Sequence, residues 1–200
     1  MYCAGLCIMC FILHLDMSIL EMNKMVFPSF VRYSASPSTS PSTSPSTNYT
    51  SSVSSAAAVV QGSPAYNNIQ GTVQFTQMQS SVAVEADISG LPKTSTGFFA
   101  FHLHESSCGS PGTDSTNYFP NTGSHYNPGN QPHPRHAGDF PPLLETGDGS
   151  AHLSFVTDRF SVQEAVDRAV VIHLNPDDFK TQPAGDSGPK IACGTVTRSL

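Results

Sequence analysis

Histidines spaced as metal ligands dominate the middle of this chain. Five of its eight histidines lie between residues 97 and 140, and a sixth ends an apolar run further along. In chain order these six are His102, His104, His125, His133, His136 and His173. Asp139 follows three residues after the fifth of them. Imidazole nitrogens and carboxylate oxygens bind zinc and other transition metals, so this composition predicts metal chemistry.

His102 and His104 form the first candidate pair. The aromatic, extended-looking run Gly-Phe-Phe-Ala-Phe directly before them predicts a strand. Residues i and i+2 of a strand share one face, so both imidazoles should point the same way from a rigid element. Two polar residues on a solvated sheet face would give the same pattern, and this spacing alone is a weak signal.

The second candidate group has the spacing H-x-x-H-x-x-D and consists of His133, His136 and Asp139. Proline and glycine around these residues exclude a helix and predict a tightly turning loop. Two imidazoles and one carboxylate suit tetrahedral Zn²⁺. A histidine-rich surface loop with adventitious metal affinity is the alternative, but a further donor, His125, favours a built site.

Short segments of alternating polarity must position these residues, and such alternation is typical of strands with one buried face. The predicted strands are 57–61, 69–77, 81–88, 98–104, 151–157, 169–173 and 191–196. Residues 160–166 could form a short helix or a strand, and His152 is expected on a strand surface. With many glycine and proline turns, the pattern predicts an all-β fold, a Greek-key β-sandwich or barrel of about eight antiparallel strands with long metal-binding loops.

The N-terminal quarter has a different composition. Residues 1–33 form an apolar leader, which could be an atypical signal or anchor or a mis-assigned start, because no lysine or arginine precedes Lys24. Residues 34–55 are a Ser/Thr/Pro-rich low-complexity linker in which SPST occurs three times in succession. Asn48 lies in a glycosylation sequon, which matters only in a eukaryotic secretory host. The expected folded domain is 56–200.

Five ordered motifs make the chain resemble the copper/zinc superoxide dismutase family. They read FHLHE, GSHYNP, HPRHAGD, VVIHLNPDD and KIACG, and the resemblance extends roughly from residue 57 to residue 196. The second and third motifs resemble a bacterial branch of the family. The resemblance implies an oxidoreductase that converts superoxide to O₂ and H₂O₂ by Cu²⁺/Cu⁺ cycling, with a structural zinc ion.

The resemblance also implies a role for each candidate residue. Copper would be held by His102, His104, His125 and His173, and zinc by His125, His133, His136 and Asp139. His125 would bridge the metals as an imidazolate and act catalytically by carrying a proton. Asp177 matches the family's carboxylate that links a copper ligand to a zinc ligand, and Cys108 and Cys193 match its disulfide pair. Lys190 stands where the family usually has arginine and is expected to guide superoxide to copper.

Two loops depart from the family pattern. The loop between Cys108 and His125 is longer than in typical eukaryotic members, while the short loop between His173 and Cys193 should open the copper site. A structural disulfide favours an oxidising compartment. Together with the leader and linker, it predicts export to an extracellular, periplasmic or cell-envelope location. A homodimer and a membrane or surface tether through the N-terminal segment are both compatible with the sequence.

Other function classes are judged by charge and motif. A formal net charge of −6 argues against nucleic-acid binding, which needs a basic face. A non-catalytic copper-binding module on the same fold stays open, because Lys190 replaces the usual arginine. A cupin-type metalloenzyme also places H-x-H on a strand. There a glutamate usually follows several residues later, whereas Glu105 adjoins His104 and would face away.

Overall fold

Antiparallel pairing between short strands organises the chain, of which the computed structural model describes residues 53–199. The strands are β1 (Ser55–Gly62), β2 (Gln70–Gln77), β3 (Val82–Ser89), β4 (Phe98–Phe99), β5 (Phe101–His104), β6 (Leu143–Leu144), β7 (Ala151–Thr157), β8 (Ala169–His173) and β9 (Lys190–Arg198). Within this range one α-helix, α1, spans Val162–Ala165, and two short 3₁₀ helices span Pro64–Tyr66 and Pro120–Thr122. The predicted leader and all but the last residues of the predicted linker lie outside the described range. No helix within that range is long and apolar enough to cross a membrane.

Seven of the strands form one curled sheet in the order β5-β8-β9-β1-β2-β3-β7, and β4 pairs with β6 in a separate ribbon. Every strand pair is antiparallel. From β3 the chain crosses to β5 at the opposite edge of the sheet, returns to β7 beside β3, and crosses again to β8 beside β5. Such crossovers between antiparallel strands are of the Greek-key type. The predicted all-β Greek-key fold is therefore confirmed.

Alternation along the strands separates the core from the solvent. In β3, Val82, Val84, Ala86 and Ile88 are buried, and the residues between them are partly or fully exposed. Burial of such side chains stabilises the fold by about 25 cal/mol for each Å² of apolar surface removed from water. The strands β5 and β8 differ, because all of their residues are buried. The polar histidines on them consequently sit inside the protein, where they need partners.

The predicted single strand 98–104 is wrong at Ala100, where the chain changes sheets. Phe98 and Phe99 pair with β6, whereas the strand resumes at Phe101 and pairs with β8. The backbone of Ala100 instead accepts a hydrogen bond from the N–H of His173 and donates one to Asn175. The undecided segment 160–166 contains helix α1, whose start carries a capping box made by Ser161 and Glu164.

A shortened protein that begins at Val53 is expected to fold and bind metal as well as the full chain. Strand β1 begins at Ser55, which pairs with Thr76, and Val53 packs against the core. Residues before Val53 supply none of the described strands. A second protein that begins at Ala58 would lose the first three of the eight residues of β1 and should unfold at lower temperature. Thermal unfolding and metal content of both proteins check this, and equal loss of stability in the two would contradict it.

Candidate metal centre

Seven buried or nearly buried donors form two adjoining clusters that share one histidine. The first cluster contains His102, His104, His125 and His173. The second contains His125, His133, His136 and Asp139. Within each cluster the potential ligand atoms all lie within 4.8 Å of one another. The structure thus brings together every residue that was predicted as a metal ligand.

Backbone pairing around β5 assembles the clusters. The Leu103 N–H donates to the carbonyl of Gly138, and the Leu103 carbonyl accepts from the N–H of Tyr126. These bonds hold both ligand-bearing loops against the strand that carries His102 and His104. A side chain at position 138 would collide, because a Cβ there would lie 2.1 Å from the Leu103 carbonyl oxygen. This close approach explains why glycine is needed between His136 and Asp139.

His173 completes the first cluster from the end of β8. Pairing between β8 and β9 shifts register between Ile172 and His173, and such irregularities re-aim a side chain. The Nε2 atom of His173 lies 3.3 Å from Nε2 of His104. The opposite nitrogens are occupied: Nδ1 of His104 lies 2.9 Å from the Gly123 carbonyl and Nδ1 of His173 lies 3.0 Å from the Gly188 carbonyl. When each Nδ1 donates to its carbonyl, both Nε2 lone pairs face the cluster.

Three buried ring nitrogens have no hydrogen-bond partner among residues 53–199. They are Nδ1 of His102, Nε2 of His125 and Nδ1 of His133. Buried polar atoms without partners are rare and costly in folded proteins. The first two belong to the first cluster and the third to the second cluster. Unpaired imidazole nitrogens in two four-donor groups fit metal ions, which accept such lone pairs.

In the second cluster, three imidazoles surround the carboxylate of Asp139. Its Oδ1 lies 2.7 Å from Nδ1 of His125 and 3.2 Å from Nδ1 of His136. Its Oδ2 lies 3.2 Å from Nδ1 of His133, but without the angle of a hydrogen bond. The backbone N–H of His136 also donates to Oδ2 and fixes the carboxylate. Three nitrogens and one oxygen match the tetrahedral donor set of zinc.

His125 presents one ring nitrogen to each cluster. Nδ1 faces Asp139, and the unpartnered Nε2 is the nitrogen left for the first cluster. The ring centroid lies 3.9 Å from that of His102 and 5.1 Å from that of His104. An imidazole held between two donor groups in this way can join two metal ions through its opposite edges. This geometry supports the bridging role that was predicted for His125.

Asp177 contacts both clusters and links them a second time. Its Oδ2 lies 2.9 Å from Nε2 of His102, and its Oδ1 lies 2.9 Å from Nε2 of His133. Carboxylates behind ligating imidazoles fix their orientation and tautomer. Gly185, which no sequence motif indicated, lies against this contact with φ +69°. A Cβ at position 185 would lie 2.0 Å from Oδ1 of Asp177. The only sign of this role in the sequence is the presence of a glycine in a loop.

A solvent-facing cleft of about 530 Å³ gives access to the clusters. Its lining includes His104, His125, His173 and Lys190. Lys190 is half-buried, and its Nζ donates to the carbonyl of Phe119 at 3.2 Å. Burial lowers the pKa of Lys190 from its ordinary value. It is the only lysine or arginine in that lining within the described part of the chain, so it provides the local positive charge.

The predicted disulfide is present. Cys108 and Cys193 are bonded, with their Cα atoms 6.0 Å apart. The backbone N–H of Cys108 also donates to the Thr195 hydroxyl at 3.1 Å. The long loop after β5 is therefore fastened to β9, the strand that begins with Lys190. The extra length of this loop does not prevent the bridge.

The metal-free protein is expected to lose stability as pH falls from about 6.5 towards about 4. Burial lowers the pKa of His173 from 6.5 to about 4, and burial likewise lowers the pKa values of His102 and His104 well below 6.5. The unfolded chain therefore binds protons first, and protonation favours unfolding across this range. Urea unfolding of chelator-treated protein at several pH values measures the effect. A free energy of unfolding that stays constant through this range would contradict it.

Comparison with known proteins gives consistent matches. The family model described as copper/zinc superoxide dismutase (SODC) matches residues 69–196. "Superoxide dismutase [Cu-Zn]" of Deinococcus radiodurans is 33% identical over 141 residues, covering 63% of this chain and 76% of the relative. "Superoxide dismutase [Cu-Zn] 3" of Arabidopsis thaliana is 34% identical over 158 residues, covering 70% and 88%. These bacterial and plant identities are nearly equal, so they do not single out the bacterial branch.

A solved structure shows the same likeness. The crystal structure of the clock protein EA4 superposes with a TM-score of 0.62 at 31% sequence identity. The match covers 74% of this chain and 96% of that protein. The likeness therefore spans nearly the whole of the solved chain.

Proposed function

Because the chain belongs to the copper/zinc superoxide dismutase family, we propose that it converts superoxide to O₂ and H₂O₂ at the two clusters joined by His125. The observation that carries this proposal is the presence of two complete four-donor sets with unpartnered buried nitrogens. We assign copper to the set containing His173 and zinc to the set containing Asp139. Bound copper would supply one-electron Cu²⁺/Cu⁺ chemistry, and bound zinc would supply structural and electrostatic support.

The remaining residues hold the ligands in place. Carbonyl partners fix the rings of His104 and His173, and Asp177 fixes the rings of His102 and His133. Such fixed orientation avoids reorganisation during turnover, which is a large part of catalytic advantage. The cleft above His104 and His173 leaves room for a small anion to reach both side chains.

We assign proton transfer to His125. Two superoxide ions and two protons yield one O₂ and one H₂O₂, so the second ion needs protons as it gains an electron. Nε2 of His125 can take up one proton and give it to the nascent peroxide, and solvent in the cleft can supply the other. Nδ1 stays beside Asp139 throughout, which keeps the ring in position. A positioned imidazole is suited to such transfer near neutral pH.

Metal analysis followed by turnover tests the proposed function. Chelator-treated protein is reloaded with copper and zinc, dialysed, and examined by mass spectrometry for metal content. We expect one copper and one zinc per chain and rapid superoxide loss in pulse radiolysis. Full loading without turnover would indicate the non-catalytic copper-binding module. Failure to retain either metal would reject the assignment of the clusters.

Lys190→Glu is expected to slow superoxide loss, by about tenfold at low ionic strength, because a cation near the cleft attracts the anion. Lys190→Arg should keep or raise the rate, since arginine keeps the charge and adds a planar fork. The difference should shrink with added salt, which screens the field. Pulse radiolysis across ionic strength, at equal copper loading, measures these rates.

A matched control for this prediction is Arg198→Glu. It makes the same change in net charge on the exposed far end of β9. The control should leave the rate and its salt dependence close to those of the unchanged protein. Equal behaviour of Lys190→Glu and the unchanged protein would remove Lys190 from substrate guidance.

We propose export for this protein, because structural disulfides persist in oxidising compartments. The Cys108–Cys193 bond is the observation that supports export. Mass mapping of peptides from protein isolated without reductant, from separated cell fractions and medium, tests it. Recovery of the protein from the cytosolic fraction, with the thiols of Cys108 and Cys193 both unbonded, would contradict export. The homodimer and the N-terminal tether stay predictions from the sequence.

A further inference from the structure

The outer face of the curled sheet carries a second group of metal-type donors on β3 and β7. Glu85 and Asp87 are two residues apart on β3 and both are exposed. His152, exposed on β7, is the direct cross-strand partner of Asp87. Residues i and i+2 share a face, and opposite residues on paired strands have neighbouring side chains. The strand register therefore forces these three side chains together.

The donor atoms of this group converge closely. One ligand atom from each residue lies within 4.8 Å of the other two. Nδ1 of His152 lies 2.7 Å from Oδ1 of Asp87. Glu85 makes no hydrogen bond or ion pair with any other side chain within residues 53–199, so its carboxylate is free to bind a ligand. A simple cross-strand ion pair explains Asp87 and His152 but gives no role to Glu85.

Electrostatics at this group favour a cation. The hydrogen bond that His152 donates to Asp87, together with the charges of Asp87 and Glu85, raises the pKa of His152. The same two carboxylates that favour a proton on the imidazole would favour a positive ion between the three side chains. Solvent and salt screen these exposed charges. A bound metal ion is therefore expected to be held by direct bonds to the three side chains and not by long-range electrostatic attraction.

We propose that Glu85, Asp87 and His152 form a third metal site, which binds a divalent transition-metal ion such as Zn²⁺. The imidazole nitrogen selects zinc, copper or nickel over calcium and magnesium, which prefer oxygen donors. Paired strands hold the backbone of all three residues, so binding orders little except side chains. An adjacent shallow cleft, lined by Asp87, His152, Thr146 and Ser150 among others, leaves room for water to complete the coordination.

Zinc titration of the fully loaded protein tests this site. Protein that already holds its copper and zinc is dialysed against increasing Zn²⁺ at a pH where His152 is neutral. Bound zinc is counted, and the imidazole resonances are followed by NMR. We expect one further zinc per chain and a selective change in the signals of His152. His152→Gln and Glu85→Gln should each weaken that zinc at least about tenfold, the smaller effect seen when metal-site partners are removed.

Asp114→Asn is the matched control, because it removes one exposed negative charge from a loop outside β3 and β7. It should leave the additional zinc unaffected. Equal weakening by Asp114→Asn would show non-specific attraction and overturn the proposal, as would the absence of any additional zinc at millimolar concentration. Unchanged affinity for the additional zinc ion in Glu85→Gln would also overturn the three-residue site. Dismutase activity should stay unchanged in His152→Gln, so this test is independent of the proposed function.

Discussion

Asp139→Ala is expected to leave the protein without zinc while copper remains bound. Asp139 is the only carboxylate in its cluster, and its two oxygens face the ring nitrogens of all three neighbouring histidines. Its loss removes one of four ligands and the support of the other three. Residues that only hydrogen-bond to a metal ligand typically contribute about 10–100-fold to metal affinity. Removal of a direct ligand should therefore lower zinc affinity by more than this factor.

Metal content after dialysis measures this prediction. The expected result is near-complete loss of zinc with copper retained on the cluster containing His102, His104 and His173. Asp158→Ala, which removes an exposed aspartate, should keep both metals. Thermal stability should fall when zinc is lost, because an ion that binds only the folded state stabilises that state by mass action. Zinc retained at the level of the unchanged protein would show that the zinc loop is wrongly assigned.

Removal of the disulfide is expected to have the second largest effect. Replacing both Cys108 and Cys193 by serine should lower the free energy of unfolding by about 2–5 kcal/mol, the usual cost of losing a native disulfide. The bond spans a sequence separation of 85 residues, so the unfolded chain gains considerable freedom when it is absent. It also fastens the loop whose Phe119 carbonyl accepts from Lys190.

Urea unfolding of the metal-loaded double variant, beside the unchanged protein under oxidising conditions, measures the difference. Reduction of the unchanged protein should reproduce the variant's stability, which separates the bond from the effect of the new hydroxyls. Superoxide loss should also slow in the variant, because the carbonyl that positions Lys190 becomes mobile. Equal stability with and without the bond would show that packing alone fixes this loop.

Much of the fold could be predicted because the responsible signals are local, whereas the grouping of His125 and His173 with His102 and His104 followed only from the family resemblance. Alternation locates the strands, and the spacing of His102 and His104 places both on one face. The break at Ala100 could not be predicted, because it depends on partners far away in sequence, Asn175 and His173. Gly185 escaped for the same reason, since its role is set by the approach of Asp177.

The group formed by Glu85, Asp87 and His152 could not be predicted, because it depends on which residues of β3 and β7 lie opposite each other. The alternating pattern of residues 151–157 predicts His152 on a strand surface, and His152 is indeed exposed on β7. The pattern does not reveal which residue lies opposite. Pairing of β3 with β7 sets Asp87 against His152. Shifting that pairing by one residue would turn one partner to the other face and separate the donors.

We expect Asp177 to make the metal affinities of the two clusters mutually dependent. One carboxylate oxygen of Asp177 contacts the ring of His102 in the first cluster, and the other contacts the ring of His133 in the second. Displacement of either imidazole should therefore change the geometry of both clusters. Thermodynamic linkage then requires reciprocity: whatever factor zinc contributes to copper affinity, copper contributes to zinc affinity. Asp177→Asn should therefore diminish this cooperativity itself, as well as the individual affinities.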